Sequence, residues 1–440
     1  MRVLAVADSD SYLKWAACLL GDLPAGWVTE LVVVRTPIAP SPEQIIAAVK
    51  GSAVKGSAVK GSAVKGSAVK GSAVKGSAVK GSAVKGSAVN GSAVNGSAAG
   101  TGQETTPPVL SARSVRRLAE RTRPDVILVA CTGPVVDVLV AEVLADLRPR
   151  PVFVSGLPGI SVPATEKAWL FRSGCDLFVV HSEREAAEFS EIAGRLGGGG
   201  AVGLARLPFL RPEAVAAGGN RVVFATQAKV PREREQRERI LLALAELAGA
   251  RPDLDVVVKL RALEGERQTH NERHHYQRLW REMGEPGRLA FAAGSMHEQL
   301  GQAAGFVTVS STAALEAIAL GVPSLVLSDF GVNAEMINLV FEGSGLLGTL
   351  GELAEGDFRT AAAEWCAANY FHPAERGDWT GLLTGLLISR PRMPARSLLD
   401  GPEHAAARRR ARLRVEVPPT MLRAGYRAKR RMRRYLKALS

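Results

Sequence analysis

Cysteine is scarce in this chain: four in 440 residues, at positions 18, 131, 175 and 366, with no C-x-x-C pair. That excludes a disulfide framework and a zinc ribbon, and it fits a reducing compartment. Long apolar runs are missing as well. The first, Val3 to Ala7, stops at Asp8 and is too short for the core of a signal peptide. The stretch from Val126 to Val136 is broken by Gly133-Pro134 and bounded by Asp125 and Asp137. It falls far short of the ~20 apolar residues needed to span a bilayer. These absences predict a cytoplasmic protein.

Acids are nearly absent from two segments. Residues 408–440 hold thirteen Lys/Arg against Glu416 alone, and residues 50–98 hold eight Lys and no acid. Taking +12 and +8 from the net charge of +13 leaves −7 for everything else. The bulk of the chain is therefore mildly acidic, and the high pI belongs to a tail and an insert, which weakens a reading of the whole protein as a nucleic-acid binder.

What is present is a large hydrophobic fraction, 46%, against 22% charged residues. This is the composition of a globular protein with a sizeable core. From Gly51 the unit Gly-Ser-Ala-Val-Lys recurs, with Asn90 and Asn95 replacing Lys near its end. A period of five builds no apolar stripe on a helix and alternates faces on a strand. The repeat is expected to be a disordered insert, spanning 50–108 with its flanks.

Around the insert, short apolar strands alternate with helices. Strands are expected at Arg2–Ala7, Glu30–Arg35, Asp125–Cys131, Pro151–Ser155 and Asp176–His181, with helices between them. After a linker at 206–220 the pattern restarts, with strands at Arg221–Thr226, Leu254–Leu260, Arg288–Ala292, Gly305–Val309 and Ser324–Leu327. The pattern is that of parallel sheets covered on both faces. The expected organisation is an α/β protein of two Rossmann-like lobes, 1–205 and 221–395, with a cleft between them and a basic tail at 396–440. Ligands of such sheets sit outside the carboxyl ends of the strands.

The most informative run is Phe306-Val-Thr-Val-Ser310-Ser311-Thr312-Ala-Ala-Leu-Glu316, continuing to Gly321 and Pro323. An apolar strand ends in three hydroxyl residues that open a helix. Free backbone N–H groups, the helix dipole and the hydroxyls suit a phosphate. Glu316, one turn in, suits the two hydroxyls of a ribose. The alternative is a plain helix cap with an acidic first turn. Glu316 stands too far from Ser311 and Thr312 for a capping box.

This run resembles the donor-site motif of GT-B glycosyltransferases, including bacterial capsule, sialyl- and glycerophospho-transferase types, and of the sugar-nucleotide 2-epimerases that share their fold. Insert and tail aside, the chain resembles a bacterial family of GT-B-type glycosyltransferases. The resemblance implies a two-lobed GT-B architecture with the nucleotide-linked donor in the second lobe, as substrate and with no cofactor. It also implies a basic or His residue on the donor phosphates.

Candidates for that role are Lys259 and Arg261, at a strand end where they could bind a diphosphate or simply be solvated, and His270 beyond them. Gln227 follows another strand end. His270 and His274 stand at i,i+4 spacing, but only Glu272 accompanies them, so no metal is expected. In the first lobe, Asp8 or Asp10 could be the general base that deprotonates an acceptor hydroxyl, or both could cap the next helix. Lys14 and the loop around Gly159 could bind the acceptor.

The tail from Arg408 could lie on an anionic membrane surface, remain solvated, or bind RNA, although aromatics for stacking are scarce there. The expected activity is glycosyl transfer from a nucleotide-linked sugar to a cell-envelope or capsule acceptor. The alternatives are a sugar-nucleotide 2-epimerase and a non-catalytic, membrane-tethered binding protein.

Overall fold

The structure, a computed structural model, describes residues 1–50, 106–207, 210, 218–261, 272–389, 395–418 and 421–422. The pentapeptide repeat, His270 and the tail beyond 422 lie outside the described residues.

Seven strands make the first sheet: β1 (Arg2–Ala7), β2 (Val28–Val34), β3 (Val109–Leu110), β4 (Val126–Ala130), β5 (Val152–Gly156), β6 (Leu177–Val180) and β7 (Ala201–Leu204). Their spatial order is β3-β2-β1-β4-β5-β6-β7, all parallel. Six more form the second: β8 (Arg221–Ala225), β9 (Asp255–Lys259), β10 (Ala290–Ala292), β11 (Ala303–Thr308), β12 (Ser324–Leu327) and β13 (Leu347–Gly348). Their order is β10-β9-β8-β11-β12-β13, again all parallel.

Both sheets are doubly wound. The strand order reverses between β1 and β4 in one and between β8 and β11 in the other, and such switch points open a crevice beyond the strand ends. Strands buried on both faces explain the uninterrupted apolar runs, such as Val-Ile-Leu-Val-Ala in β4, every residue of which is buried.

The helices in the first half are α1 (Asp10–Gly21), α2 (Pro42–Lys50), α3 (Ala112–Thr122), α4 (Gly133–Val138, continued by a π turn over Leu139–Val143), α5 (Glu166–Leu170) and α6 (Glu183–Leu196). Those in the second half are α7 (Arg234–Ala250), α8 (Tyr276–Glu282), α9 (Met296–Leu300), α10 (Ala313–Ala319), α11 (Leu350–Glu355) and α12 (Ala363–Ala368). Two more follow, α13 (Trp379–Ser389) and α14 (Pro402–Glu416).

These last two depart from the expected organisation. The span 221–395 was expected to belong to the second lobe, yet Trp379, Leu383 and Leu387 of α13 are buried in the first-lobe core with Val3, Val126 and Val154. Asp378 fixes the crossing by accepting from the Leu204 N–H at 2.7 Å. The basic stretch expected to be tail from 396 is folded through α14. Ala411 and Val415, one helical turn apart, are buried against Val115, Val135 and Val136. Arg408 donates to both oxygens of buried Asp137, at 2.9 and 3.1 Å, and to Asp400 at 2.8 Å. Arg412 pairs with Glu142 at 2.8 Å. Arg408 and Arg412 thus close the first lobe, while Arg409, Arg410 and Arg414 of the same helix stay exposed.

The lobes share a joint. Val162, from the loop after β5, is buried with Phe306, Trp365 and Tyr370 of the second lobe. Glu185 on α6 is fully buried and accepts three bonds. The Tyr370 hydroxyl (2.6 Å) and Ser161 N–H (2.8 Å) reach Oε1, and the His181 N–H (2.9 Å) reaches Oε2.

Candidate functional site

Several expected site residues lie beside the two switch points, Asp8 after β1, Gln227 after β8 and Ser310 to Glu316 after β11, while Lys259 and Arg261 follow neighbouring β9 and Gly159 follows β5. Asp8 directly follows β1 and Thr132 follows β4. Oδ2 of Asp8 accepts the Thr132 N–H at 2.9 Å and the Thr132 hydroxyl at 2.5 Å. Oδ1 is buried without a partner among the described residues. Burial is the main cause that raises the Asp8 pKa above the ordinary carboxylate value, against the lowering effect of the Thr132 bonds. A buried carboxyl with one vacant acceptor oxygen and a raised proton affinity suits a general base.

Asp10 differs. It lies in the first turn of α1, half-buried, and its Oδ2 accepts from exposed Lys14 Nζ at 2.8 Å, while its Oδ1, like that of Asp8, has no partner among the described residues. Of the two acids proposed from the sequence, Asp8 is the fully buried one, and its burial is what raises its proton affinity. Lys14 is engaged by Asp10, yet its charge also reaches the second lobe.

There Glu316, on α10, is the focal group. Burial lifts its carboxyl to about 7, and the charges of Lys14, first, and Lys259 pull the other way. Lys259 ends β9, is 6% exposed, and donates to the Leu260 carbonyl at 2.7 Å. Burial chiefly lowers its pKa, with Arg261 and Lys14 adding like-charge repulsion and Glu316 opposing them. Lys14 of the first lobe and Lys259 and Glu316 of the second thus share one electrostatic environment across the cleft. Arg261 is exposed at its edge.

The hydroxyl run is only partly free for a phosphate. The Ser310 hydroxyl donates to the Ile337 carbonyl. Ser311 Oγ accepts from the Ala313 N–H at 3.2 Å, and its own N–H donates to Thr308 Oγ1 at 3.1 Å. Thr312 makes no capping bond. The helix-cap reading therefore accounts for Ser311, while Thr312 is left facing the other lobe. A Cβ on Gly159 would stand 3.1 Å from Thr312 Cγ2, so the first-lobe loop lies close to the hydroxyl run and a side chain there would press on the Thr312 methyl. Gln227, after β8, donates its amide to the Ser310 carbonyl, while its Oε1 is buried without a partner.

His270 lies outside the described residues. Among the described residues no cluster of three or more His, Cys, Asp or Glu could hold a metal, and no helix is long and apolar enough to cross a membrane.

Sequence reasoning missed the pairing of Asp8 with Thr132, 124 residues away, and the participation of Lys14 in the donor lobe's electrostatics. A signal for the first existed. Thr132 follows an apolar strand and precedes a helix, the same arrangement that singled out Ser310 to Thr312.

The arrangement is that of a GT-B-type protein: two Rossmann-like lobes facing each other across a cleft. A UDP-GlcNAc 2-epimerase from Neisseria meningitidis bound to UDP-GlcNAc is similar to this structure, with a TM-score of 0.50 at 12% identity, covering 88% of this chain and 100% of that one. The S. aureus MnaA–UDP co-structure has a TM-score of 0.48 at 11% identity, covering 88% and 95%. A UDP-glucosyltransferase from Polygonum tinctorium has 0.41 at 12%, covering 95% and 98%. At 12% identity the likeness to the Neisseria meningitidis structure bears on the fold alone. The chain belongs to the family described as putative glycosyltransferase (DUF6716), which it matches over residues 3–79 and 61–386. Comparison with curated proteins gives no match.

Proposed function

We propose that this protein transfers a sugar from a nucleotide-linked donor to a hydroxyl acceptor of the cell envelope or capsule. The observation that carries this reading is the charge constellation of Lys14 on α1, Glu316 on α10 and Lys259 at the end of β9, whose charges act on one another across the cleft. Glu316 accepts hydrogen bonds from the ribose hydroxyls. Lys259 and Arg261 face the diphosphate and stabilise the charge that develops on it as it leaves, with no metal required. Gln227 and Thr312 line the same end of the lobe, and Gly159 of the first lobe lies close to Thr312.

Asp8 takes the acceptor proton. The acceptor oxygen bonds to the anomeric carbon while that carbon's bond to the diphosphate oxygen breaks. The diphosphate departs with the bonding electron pair. Asp10 holds Lys14 in place rather than acting as base. Family membership supports the reaction class, and the fold supports a two-lobed donor cleft.

The test is a thermal-shift screen against UDP-, GDP-, CMP- and CDP-linked sugars, followed by product analysis with the donor that binds. A ligand at 100 times its dissociation constant stabilises by ~2.7 kcal/mol. Donor consumption that depends on an added acceptor supports transfer. Conversion of the sugar nucleotide to its epimer with no acceptor present would identify an epimerase. Absence of any nucleotide stabilisation would favour a binding protein.

A further inference from the structure

Helix α14 does more than close the first lobe, because two cavities meet along it. The first, of about 320 Å³, has an apolar wall of Leu170, Phe171 and Leu399, and cations Lys167, Arg410 and Arg414 at its margin. The second, of about 510 Å³, lies over the carboxyl ends of the strands, where Asp8, Thr36 and Thr132 border it beside apolar Ile38 and Val135. Pro134, Ala411 and Arg414 line both, so the two spaces adjoin across these residues.

The charges are distributed unevenly. Asp137, the one acid at the first cavity, is matched by Arg408 at 2.9 Å, and His404 stands 3.5 Å from Glu403. Lys167, Arg410 and Arg414 have no ion-pair partner among the described residues. Three unmatched cations beside an apolar wall attract an anionic group that carries apolar surface. At the other end, buried Asp8 Oδ1 lacks a hydrogen-bond donor, and an unsatisfied buried acceptor calls for one.

We infer that the two cavities form one binding site for an anionic amphiphile bearing a hydroxyl. Its anionic group lies among Lys167, Arg410 and Arg414, its apolar body along Pro134 and Val135, and its hydroxyl at Asp8 Oδ1. This deepens the proposed function by naming the acceptor's chemistry, and it rests on that reading only for the word acceptor. The class is shared by soluble alkyl phosphates and by lipids with phosphate headgroups, and the experiment separates them.

The full-length chain, without any nucleotide, is titrated calorimetrically with ω-hydroxydodecyl phosphate, dodecyl phosphate, inorganic phosphate and a neutral dodecyl glycoside, each as a monomer. The expected result is saturable binding of the two alkyl phosphates, tightest for the hydroxylated one. Inorganic phosphate and the neutral glycoside bind at least tenfold more weakly. Arg410→Ala/Arg414→Ala, two exposed positions, lowers alkyl phosphate affinity about tenfold or more. Asp8→Asn erases the preference for the hydroxylated probe and leaves dodecyl phosphate binding intact. Unchanged affinity in the arginine double variant, or inorganic phosphate binding as tightly as dodecyl phosphate, would overturn the site. So would binding confined to phosphatidylglycerol vesicles, which would make this face a membrane-docking surface. Because no donor is present, failure of the donor reading leaves these titrations unaffected.

Discussion

The hydroxyl of Tyr370, in the second lobe, donates to Glu185 of the first at 2.6 Å, inside the joint on which the two sheets meet. Glu185 is fully buried and its remaining bonds come from the Ser161 and His181 backbone. A carboxylate held this way fixes the loop after β5, and with it Gly159 at the cleft. Tyr370→Phe removes one bond to a charged acceptor, and a loss of ~1.5–3 kcal/mol in unfolding free energy is expected from denaturant titration. Wild-type stability in this variant would show that the joint does not depend on the bond.

Arg408 supplies a sharper test of the C-terminal helix. Arg408→Ala leaves Asp137, whose side chain is 4% exposed, without its cation. Breaking such a pair costs about 3 kcal/mol, visible as a lower melting temperature. Arg409→Ala, an exposed neighbour, should change little. Equal melting temperatures for the two variants would contradict the docking of this helix.

Gly156 tests the packing behind the cleft. A Cβ there would stand 2.4 Å from the Val179 carbonyl oxygen and 2.6 Å from the Trp15 ring. Trp15 cannot retreat freely, since its Nε1 donates to His181 Nε2 at 2.7 Å. Gly156→Ala is expected to cost roughly 1–3 kcal/mol by overpacking. A variant as stable as wild type would mean that β5 and α1 can separate.

Glu316 carries a pH dependence with two opposite slopes. Its carboxyl titrates at about 7, above the ordinary 4.5, because burial disfavours the charge. The folded chain therefore holds this proton more tightly than the unfolded chain. The group's contribution to stability is complete below the unfolded value and is lost as pH rises through about 7. Donor affinity should rise over the same interval, since an ionised carboxylate is the stronger acceptor for ribose hydroxyls. Glu316→Gln should flatten both curves. A donor-affinity profile that keeps its slope in the variant would assign the titration to another group.

Much of this architecture was legible in the sequence because fully buried parallel strands leave unbroken apolar runs. The bounds read for β1, Arg2–Ala7, and β12, Ser324–Leu327, are those of the structure. Strand β7 is another matter. Ala-Val-Gly-Leu follows a run of glycines, and its pairing with β6, not its composition, makes it a strand. Destination was hidden as well. The apolar face of α13 would satisfy either lobe, and only the partners of Trp379 and Leu383 show which one it covers.

At the site, residue types were readable and their division of labour was not. Asp8 and Asp10 look alike in sequence. Thr132 and Lys14 separate them, the first by enclosing one oxygen of Asp8, the second by pairing with Asp10. The hydroxyl run was read as a phosphate cradle, yet the Ser310 hydroxyl is taken by the Ile337 carbonyl, 27 residues on, and local bonds to Thr308 and Ala313 engage Ser311. Such short-range bonds compete for hydroxyls whenever a strand turns into a helix.

The central claim is that a nucleotide-linked donor binds at Glu316 and Lys259. It is tested most directly by titrating the donor found in the thermal-shift screen into wild type, Glu316→Gln and Lys259→Ala, with the free nucleoside and the nucleoside diphosphate in parallel. The account predicts that Glu316→Gln weakens all three ligands about tenfold or more, through the ribose. Lys259→Ala should weaken the donor and the diphosphate by a similar factor and leave the nucleoside unaffected. Wild-type affinities in both variants would contradict a donor site at this end of the second sheet.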